Sequence, residues 1–474
     1  MVNSTFREQL HEMADRMADY LENVEQYPVR PDVSPGEIKN QLPERAPESA
    51  ETFQQILEDV DRIILPGITH WQHPRFYGYF PANTSEPSVL AEMLTAAIGA
   101  QCMSWLTSPA ATELEQQMME WLIDLLKLPP HWQGCIQSTA SEATLVSLLT
   151  AREQASSWSI NKEGFKGNEQ FVVYASEQVH SSIDKAVRIA GFGEQNLCKI
   201  PVDESYELVP EELLKAVKRD IERGKQPLAV VSVLGTTAST AIDPIPEINK
   251  ITTAYNLWHH VDAAYAGTAM ILPEYQKWTE GLDQVDSFVF NPHKWMGVQF
   301  DCSTYFVRDA EALKKTFSIN PAYLQTGADE KVNNYRDWGI PLGRRFRALK
   351  LWFVLRMLGA EGIRSRIRSH IEFGQELAGW IKSDSRFEMM APAPLNLVCF
   401  RYHPPEIESE TQLNELNRRL LERLNQSGKM FLTHAELNGR FVIRWVVGQT
   451  HVSEKDITES WKDLIVETEK LNLG

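Results

Sequence analysis

The stretch Asn291-Pro292-His293-Lys294-Trp295, read with His260-Val261-Asp262-Ala263-Ala264 upstream of it, decides how this chain folds. The lysine comes just after the strand-like run Asp286-Ser-Phe-Val-Phe290, and the aspartate at the end of another, Leu257-Trp-His-His-Val261. Such runs, bounded by turn residues, predict strands. A lysine just past one strand end can form a Schiff base with an aldehyde. An aspartate just past another can keep a pyridine nitrogen protonated. Taken singly, a lysine is more often a solvated surface residue and an aspartate more often a helix cap or ion-pair partner. Here the lysine is crowded between His293 and Trp295, and the aspartate is followed by two small residues that admit a flat ring. The pair points to pyridoxal phosphate (PLP).

Working outward, 474 residues allow two or three domains, or one large α/β unit with an appendage. Hydrophobic residues at 43% and charged residues at 23% are an ordinary globular balance that permits a large core. A formal net charge of −17 repels polyanions, so neither nucleic acid nor an anionic membrane is an expected partner. The five cysteines, Cys102, Cys135, Cys198, Cys302 and Cys399, are odd in number and widely spaced, which favours a reducing compartment. The N-terminus lacks an apolar signal core, and no run approaches the ~18 apolar residues of a membrane span. A cytoplasmic protein is the expectation.

Phe6, Leu10, Met13, Met17 and Leu21 share one face of an amphipathic helix, docked on its own domain or on a partner subunit. Prolines at 28, 31, 35, 43 and 47 break up an extended connector, and a second helix is predicted over 50–64. From 85 to 310 helices (88–98, 112–126, 141–154) alternate with strands (171–175, 228–234, 257–261, 287–290, 303–307). That alternation predicts an α/β layer fold with a mainly parallel sheet, whose ligands bind beyond the carboxyl ends of the strands. A long helix is expected over 344–358. Strands at 395–402 and 441–447, with helices at 410–426 and 454–471, predict a small C-terminal α+β domain. The expected division is 1–84 as an N-terminal helical segment, 85–370 as the large domain and 371–474 as the small one.

Gln137-Ser138-Thr139-Ala140-Ser141-Glu142-Ala143 opens a helix, and hydroxyls with free N–H groups at a helix start hold anions, although most such segments only cap. Thr237, after Gly235-Thr236, is either a cofactor contact or an ordinary loop residue, and Asn291 is a further phosphate contact. His180 follows the 171–175 strand. It is read either as a structural histidine or as a ring lying flat on the cofactor opposite Ala264. His70-x-x-His73 and His259-His260 lack a clear set of further ligands, so no metal is expected.

These residues resemble the group II PLP-dependent amino acid decarboxylases, and among them the aromatic-L-amino-acid decarboxylases. The resemblance is carried by His260-Val-Asp-Ala-Ala-Tyr-Ala-Gly267, Asn291-Pro-His-Lys-Trp295, Ser108-Pro-Ala-Ala-Thr-Glu-Leu-Glu115 and Thr139-Ala-Ser-Glu-Ala-Thr-Leu145, with Gly343-Arg-Arg-Phe-Arg347 and Tyr79-Phe-Pro81. It spans essentially the whole chain. It implies a fold-type-I homodimer with shared active sites. Lys294 would bind the cofactor aldehyde, Asp262 the pyridine nitrogen, and His180 would stack on the ring. Ala140, Ser141, Asn291 and His293 would hold the phosphate, with Thr237 nearby.

The resemblance also implies that Tyr323, on a loop over 318–331, returns a proton to the substrate carbon. Trp71, Tyr79, Phe80 and Pro81 would form an aromatic side-chain pocket, with Gln101 and Met103 reaching it from the partner subunit. Ala82, Gln101 and Met103 depart from the hydroxyl, aliphatic and aromatic residues usual in animal enzymes, while Gly343 leaves room that, in plant relatives, goes with indole substrates. An aromatic L-amino acid is the expected substrate, with tryptophan, tyrosine and DOPA all open. A non-aromatic substrate, the aldehyde-synthase branch (set against Tyr323, which is not phenylalanine), an aminotransferase or desulfurase, and a silent scaffold are the competing readings. For an aminotransferase, Arg344 or Arg345 would have to meet the substrate carboxylate.

Overall fold

The computed structural model describes residues 2–167, 169–319 and 331–472, so Tyr323 lies outside the described residues. The chain divides into two compact units. The larger is Ala82–Ile371 with Ala391–Leu397; the smaller is Met1–Pro81 with Glu372–Met390 and Val398–Gly474.

Among the described residues, the larger unit carries seven strands: β1 Gln133–Gln137, β2 Phe171–Ser176, β3 Leu197–Ile200, β4 Gln226–Val233, β5 Trp258–Asp262, β6 Ser287–Phe290 and β7 Ser303–Val307. They form one sheet in the order β1-β7-β6-β5-β4-β2-β3. From β3 to β6 all neighbours are parallel, while β7 runs antiparallel to both β6 and β1. Strands β5, β6 and β7 are buried at every residue, as expected where helices cover both faces. The alternation of side chains along each strand sorts the two cores. Val173, Ala175, Ala229 and Val231 face helices Ala140–Ala155 and Ser181–Ile189. Val172, Tyr174 and Val230 face helices Pro210–Glu222 and Ile245–Tyr255. This is the mainly parallel α/β sheet the alternating pattern predicts.

In the smaller unit β8 Phe387–Met389, β9 Leu397–Tyr402, β10 Thr433–Leu437 and β11 Arg440–Val446 form a sheet in the order β10-β11-β9-β8. Helices Glu410–Gln426 and Glu454–Asn472 supply Leu420, Leu424, Ile457 and Leu464 to its core. The N-terminal helix is Val2–Glu22, with Arg16 bonded bidentately to Asp61 and Tyr20 to His70. Phe6 and Leu10 remain exposed on it. Two helices differ from expectation. The second stops as an α-helix at Asp59, because the last turn to Ile64 widens into a π-turn. The helix expected over 344–358 is Arg347–Ser383, broken only at Gly359, whose positive φ interrupts the regular turn.

Histidine burial sets an acid limit on the fold. Desolvation pushes His73 and His260 down to about 4 and His259, His293 and His370 down to about 3. An unfolded chain holds these rings near pKa ~6.5. Between that value and the folded values the unfolded chain binds more protons, so stability rises with pH there and is lost as pH falls. Each ring contributes at most about 1.4 kcal/mol per pH unit. Thermal unfolding should therefore show a midpoint that drops steeply below about pH 6; a midpoint unchanged from pH 7 to pH 5 would contradict it.

Candidate active site

The register places Asp262 beside Val233 of β4 and Val289 of β6, at the carboxyl end of β5. There the chain folds back on itself. Asp262 Oδ1 accepts the Ala264 N–H at 2.9 Å, which fixes the carboxylate, and Ala264 O accepts the Asn291 N–H at 3.0 Å. Asp262 is 5% exposed, whereas Ala264 stays partly open. Two glycines permit the close approach. A Cβ on Gly267 would stand 2.5 Å from Phe290 Cβ. Gly235, at φ +91°, brings the loop after β4 against the same turn, where a Cβ would meet Ala266 Cβ at 2.6 Å. That loop leaves Thr237 exposed while Thr236 is buried, its hydroxyl engaged by Ser239 and Ala241.

Lys294 is half-buried in a turn whose first bond is Lys294 N–H to Asn291 O at 2.9 Å. A segment that the sequence did not mark holds this turn. Asn83 Nδ2 donates to Lys294 O at 2.9 Å, Ser85 Oγ to Gly297 O at 2.7 Å, and the Gln299 N–H donates to Ser88 Oγ at 2.6 Å. The sequence offered little signal: the helix expected over 88–98 takes in Ser88 alone of the three, and in the structure it runs Glu86–Ile98. The Ser303 hydroxyl donates to Asn291 Oδ1 at 2.6 Å, so the amide nitrogen is the end that can donate to an anion. His293 Nδ1 accepts the Cys302 N–H at 3.0 Å; burial, reinforced by the Lys294 charge, keeps the ring neutral.

His180 caps helix Ser181–Ile189, its Nδ1 taking the Ser182 N–H at 3.1 Å and lying 2.8 Å from the Ser182 hydroxyl. These bonds fix the ring plane. His180 is exposed by surface area, yet enough protein crowds the ring for desolvation to lower its pKa. Asp262 opposes that shift and Lys294 adds to it, so all three residues act within one electrostatic neighbourhood.

A cavity of about 450 Å³ opens at the starts of helices Ala140–Ala155 and Ser181–Ile189. Ser138, Ser141, Ser182, Lys185, Gly343 and Arg347 are among its lining residues. Ala140 is buried beside Thr139, whose hydroxyl caps its helix by accepting the Glu142 N–H at 3.3 Å. Two helix starts and Lys185 suit a phosphate, while Glu142 also lines the cavity and Arg347 is paired bidentately with Asp301 at 3.0 Å. Lys185, Ser182 and Arg347 were not anticipated; only Arg347 lay within a motif already singled out. A fixed buried carboxylate, a half-buried amine, a flat ring and an anion cavity are the features PLP requires, and the residues present fit it.

Of the expected substrate-facing residues, Trp71, Tyr79, Phe80 and Pro81 belong to the smaller unit, where Trp71 and Tyr79 stack at 5.6 Å and Arg444 lies 5.3 Å over the Phe80 ring. Ala82, Gln101, Met103 and Gly343 belong to the larger one. There Gln101 Oε1 accepts the Arg344 N–H at 2.7 Å, and a Cβ on Gly343 would meet Gln101 Nε2 at 3.2 Å. The Arg344 guanidinium is buried in a bidentate pair with Glu115 at 2.7 and 3.1 Å, and Arg345 pairs with Glu92. Neither is placed like an arginine kept for a substrate carboxylate. The ring nitrogens of the four histidines once weighed as metal ligands take part in hydrogen bonds: His70 with Tyr20, His73 with the Arg75 N–H, His259 with Ser232 and Asn249, and His260 with Thr144 and Ser287.

Sheet order and site together define a PLP-dependent enzyme of fold type I. The family model described as pyridoxal-dependent decarboxylase conserved domain matches residues 35–403. The chain is 44% identical to phenylacetaldehyde synthase of Arabidopsis thaliana, over 98% of this chain and 95% of that one. It is 42% identical to tryptophan decarboxylase 2 of Oryza sativa subsp. japonica, over 98% and 95%. The Oryza sativa TDC structure with PLP and tryptamine superposes with a TM-score of 0.96 at 35% identity, covering 99% of this chain and 98% of that one. The chain belongs to the pyridoxal-dependent decarboxylase family, whose members are PLP-dependent carboxy-lyases. Among the described residues, no helix is long and apolar enough to cross a membrane.

Proposed function

We propose that this protein decarboxylates an aromatic L-amino acid to its amine, as a cytoplasmic homodimer. The observation that carries the reading is the placing of Asp262 and Lys294 just past the carboxyl ends of the adjacent parallel strands β5 and β6, their turns joined by the Asn291 N–H to Ala264 O bond at 3.0 Å. Bound there, PLP supplies an electron sink for the pair left on Cα when carbon dioxide departs. Lys294 is the amine that binds the cofactor aldehyde and yields it to the substrate amine. Asp262 holds a proton on the pyridine nitrogen. His180 would stack on the ring, and Ala264 is small enough to admit it. Ala140, Ser141 and Asn291, with Thr237 and His293 close by, hold the phosphate. Tyr323 returns a proton to Cα.

Trp71, Tyr79, Phe80, Pro81 and Ala82 receive the substrate side chain, with Gln101, Met103 and Gly343, which packs beside Gln101, contributed across the dimer. An aromatic wall of this kind favours a planar side chain. The dimer is supported by exposed Leu90, Leu94 and Ile98 at helical spacing on Glu86–Ile98, and by Phe6 and Leu10. The test is to incubate holo-protein with each L-amino acid separately and identify the product. An aromatic amine with carbon dioxide supports the proposal; an oxo acid without carbon dioxide refutes it.

Kinship to a phenylacetaldehyde synthase favours a second reading, oxidative formation of an aldehyde. Tyr323 argues for the amine. Tyr323→Phe should lower amine yield by about 10²-fold, the scale of losing one positioned proton-transfer group, with aldehyde, ammonia and peroxide appearing at the expense of oxygen. An unchanged amine yield would remove Tyr323 from the mechanism.

A further inference from the structure

The two motifs that carry Asp262 and Lys294 each contain an aromatic residue with no chemical assignment. Tyr265 lies three residues after Asp262, and Trp295 directly follows Lys294. Both are 1% exposed, and their rings stack with centroids 4.7 Å apart and planes within 5°. Each ring is also held at its polar atom. Asn396 Nδ2 donates to the Tyr265 hydroxyl at 2.7 Å, and Trp295 Nε1–H donates to His370 Nδ1 at 2.9 Å. Asn396 and His370 are fully buried, and burial keeps His370 neutral and so able to accept. A four-residue chain, Asn396–Tyr265–Trp295–His370, therefore fixes both the spacing and the rotation of the two rings.

Core filling alone accounts poorly for this arrangement. A leucine pair would fill similar space without introducing a hydroxyl and an indole N–H that need buried partners. What the polar ends add is orientation. We infer that the Tyr265–Trp295 stack is a positioning element, holding the Asp262 turn and the Lys294 turn at the separation that lets both residues address one cofactor ring. The inference rests on the proposed roles of Asp262 and Lys294. Neither aromatic residue touches the reacting atoms in this account; both act through their neighbours.

Three variants of the holoenzyme test it, with Tyr174→Leu as a control. Tyr174 is a fully buried tyrosine of β2 whose hydroxyl donates to Asp220 at 3.1 Å. The readouts are kcat, KM, cofactor dissociation constant, thermal midpoint and the rate at which borohydride tags Lys294. Tyr265→Leu removes the stack and should lower kcat by about 10²-fold, the scale of a misplacement near 1 Å, while KM changes little. Cofactor affinity and Lys294 tagging should fall with it, and Tyr174→Leu, at a similar loss of midpoint, should change none of them. Tyr265→Phe keeps the stack but loses the bond from Asn396, and Trp295→Phe loses the N–H to His370, so each should fall between wild type and Tyr265→Leu.

A Tyr265→Leu enzyme with wild-type kcat and tagging overturns the inference. If Tyr265→Leu does not fold, the other two decide. Tyr265→Phe and Trp295→Phe both at wild-type kcat and wild-type tagging overturn it. Tagging at a lysine other than Lys294 in the wild-type protein would sink the functional reading itself, whereas tagging at Lys294 that is indifferent to Tyr265 sinks only the positioning role.

Discussion

Lys294→Ala should leave a folded protein with turnover reduced by about 10⁴-fold, at the upper end of what one proton-transferring side chain supplies. The expectation is that large because two duties are proposed for the residue, anchoring the cofactor aldehyde and releasing the product. Its amine follows β6 in a turn whose carbonyls are held by Asn83 and Ser85, so the backbone should keep its course when the side chain is cut. Circular dichroism and the thermal midpoint would confirm that. Borohydride should then fail to tag residue 294, and added primary amine should restore part of the rate. Turnover at the wild-type level would end the proposed mechanism.

Asp262→Asn should cost about 10²–10³-fold in kcat, the range for removing one preorganised electrostatic group. The carboxamide can still accept the Ala264 N–H through its oxygen, so the turn should persist. What disappears is the negative charge that favours a protonated pyridine. The cofactor's absorption should respond to pH differently, because the ring would lose its proton at lower pH than in the wild type. The charge that opposes the downward shift at His180 is lost as well, so that histidine should titrate still lower. Retention of the wild-type kcat and absorption profile would contradict the assignment.

How far the sequence spoke for itself differs from element to element. Strands β6 and β7 were readable residue for residue, because Ser287–Phe290 and Ser303–Val307 are compact runs of aromatic, β-branched and hydroxyl residues with clear turns on either side. Strands β1 and β3 went unseen. Gln-Gly-Cys-Ile-Gln has one β-branched residue among five and becomes a strand because β7 pairs with it; Leu-Cys-Lys-Ile is four residues at a sheet edge. In both, tertiary pairing overrides a weak local preference. Lys294 and Asp262 stood out in the sequence because a crowded lysine and an aspartate before two small residues are unusual just past strand ends. Asn83 did not, since it meets Lys294 across 211 residues and no local pattern records such a contact. The Tyr265–Trp295 stack was equally silent, for two aromatic residues in separate motifs carry no sign that they touch.

The placement of β1 has a consequence for assembly. This strand leads straight into Ala140, at the start of the helix that borders the anion cavity, yet its hydrogen-bonded neighbour is β7, synthesised more than 160 residues later. On the ribosome, the early strand has no edge to join until the last one emerges. Contacts so distant in sequence form slowly, and an unpaired edge invites aggregation in the interval. Vitamin B6 capture should therefore come late in biogenesis, when the outermost strand has been sewn in. A newly made chain that takes up its cofactor thereby reports that its sheet is closed.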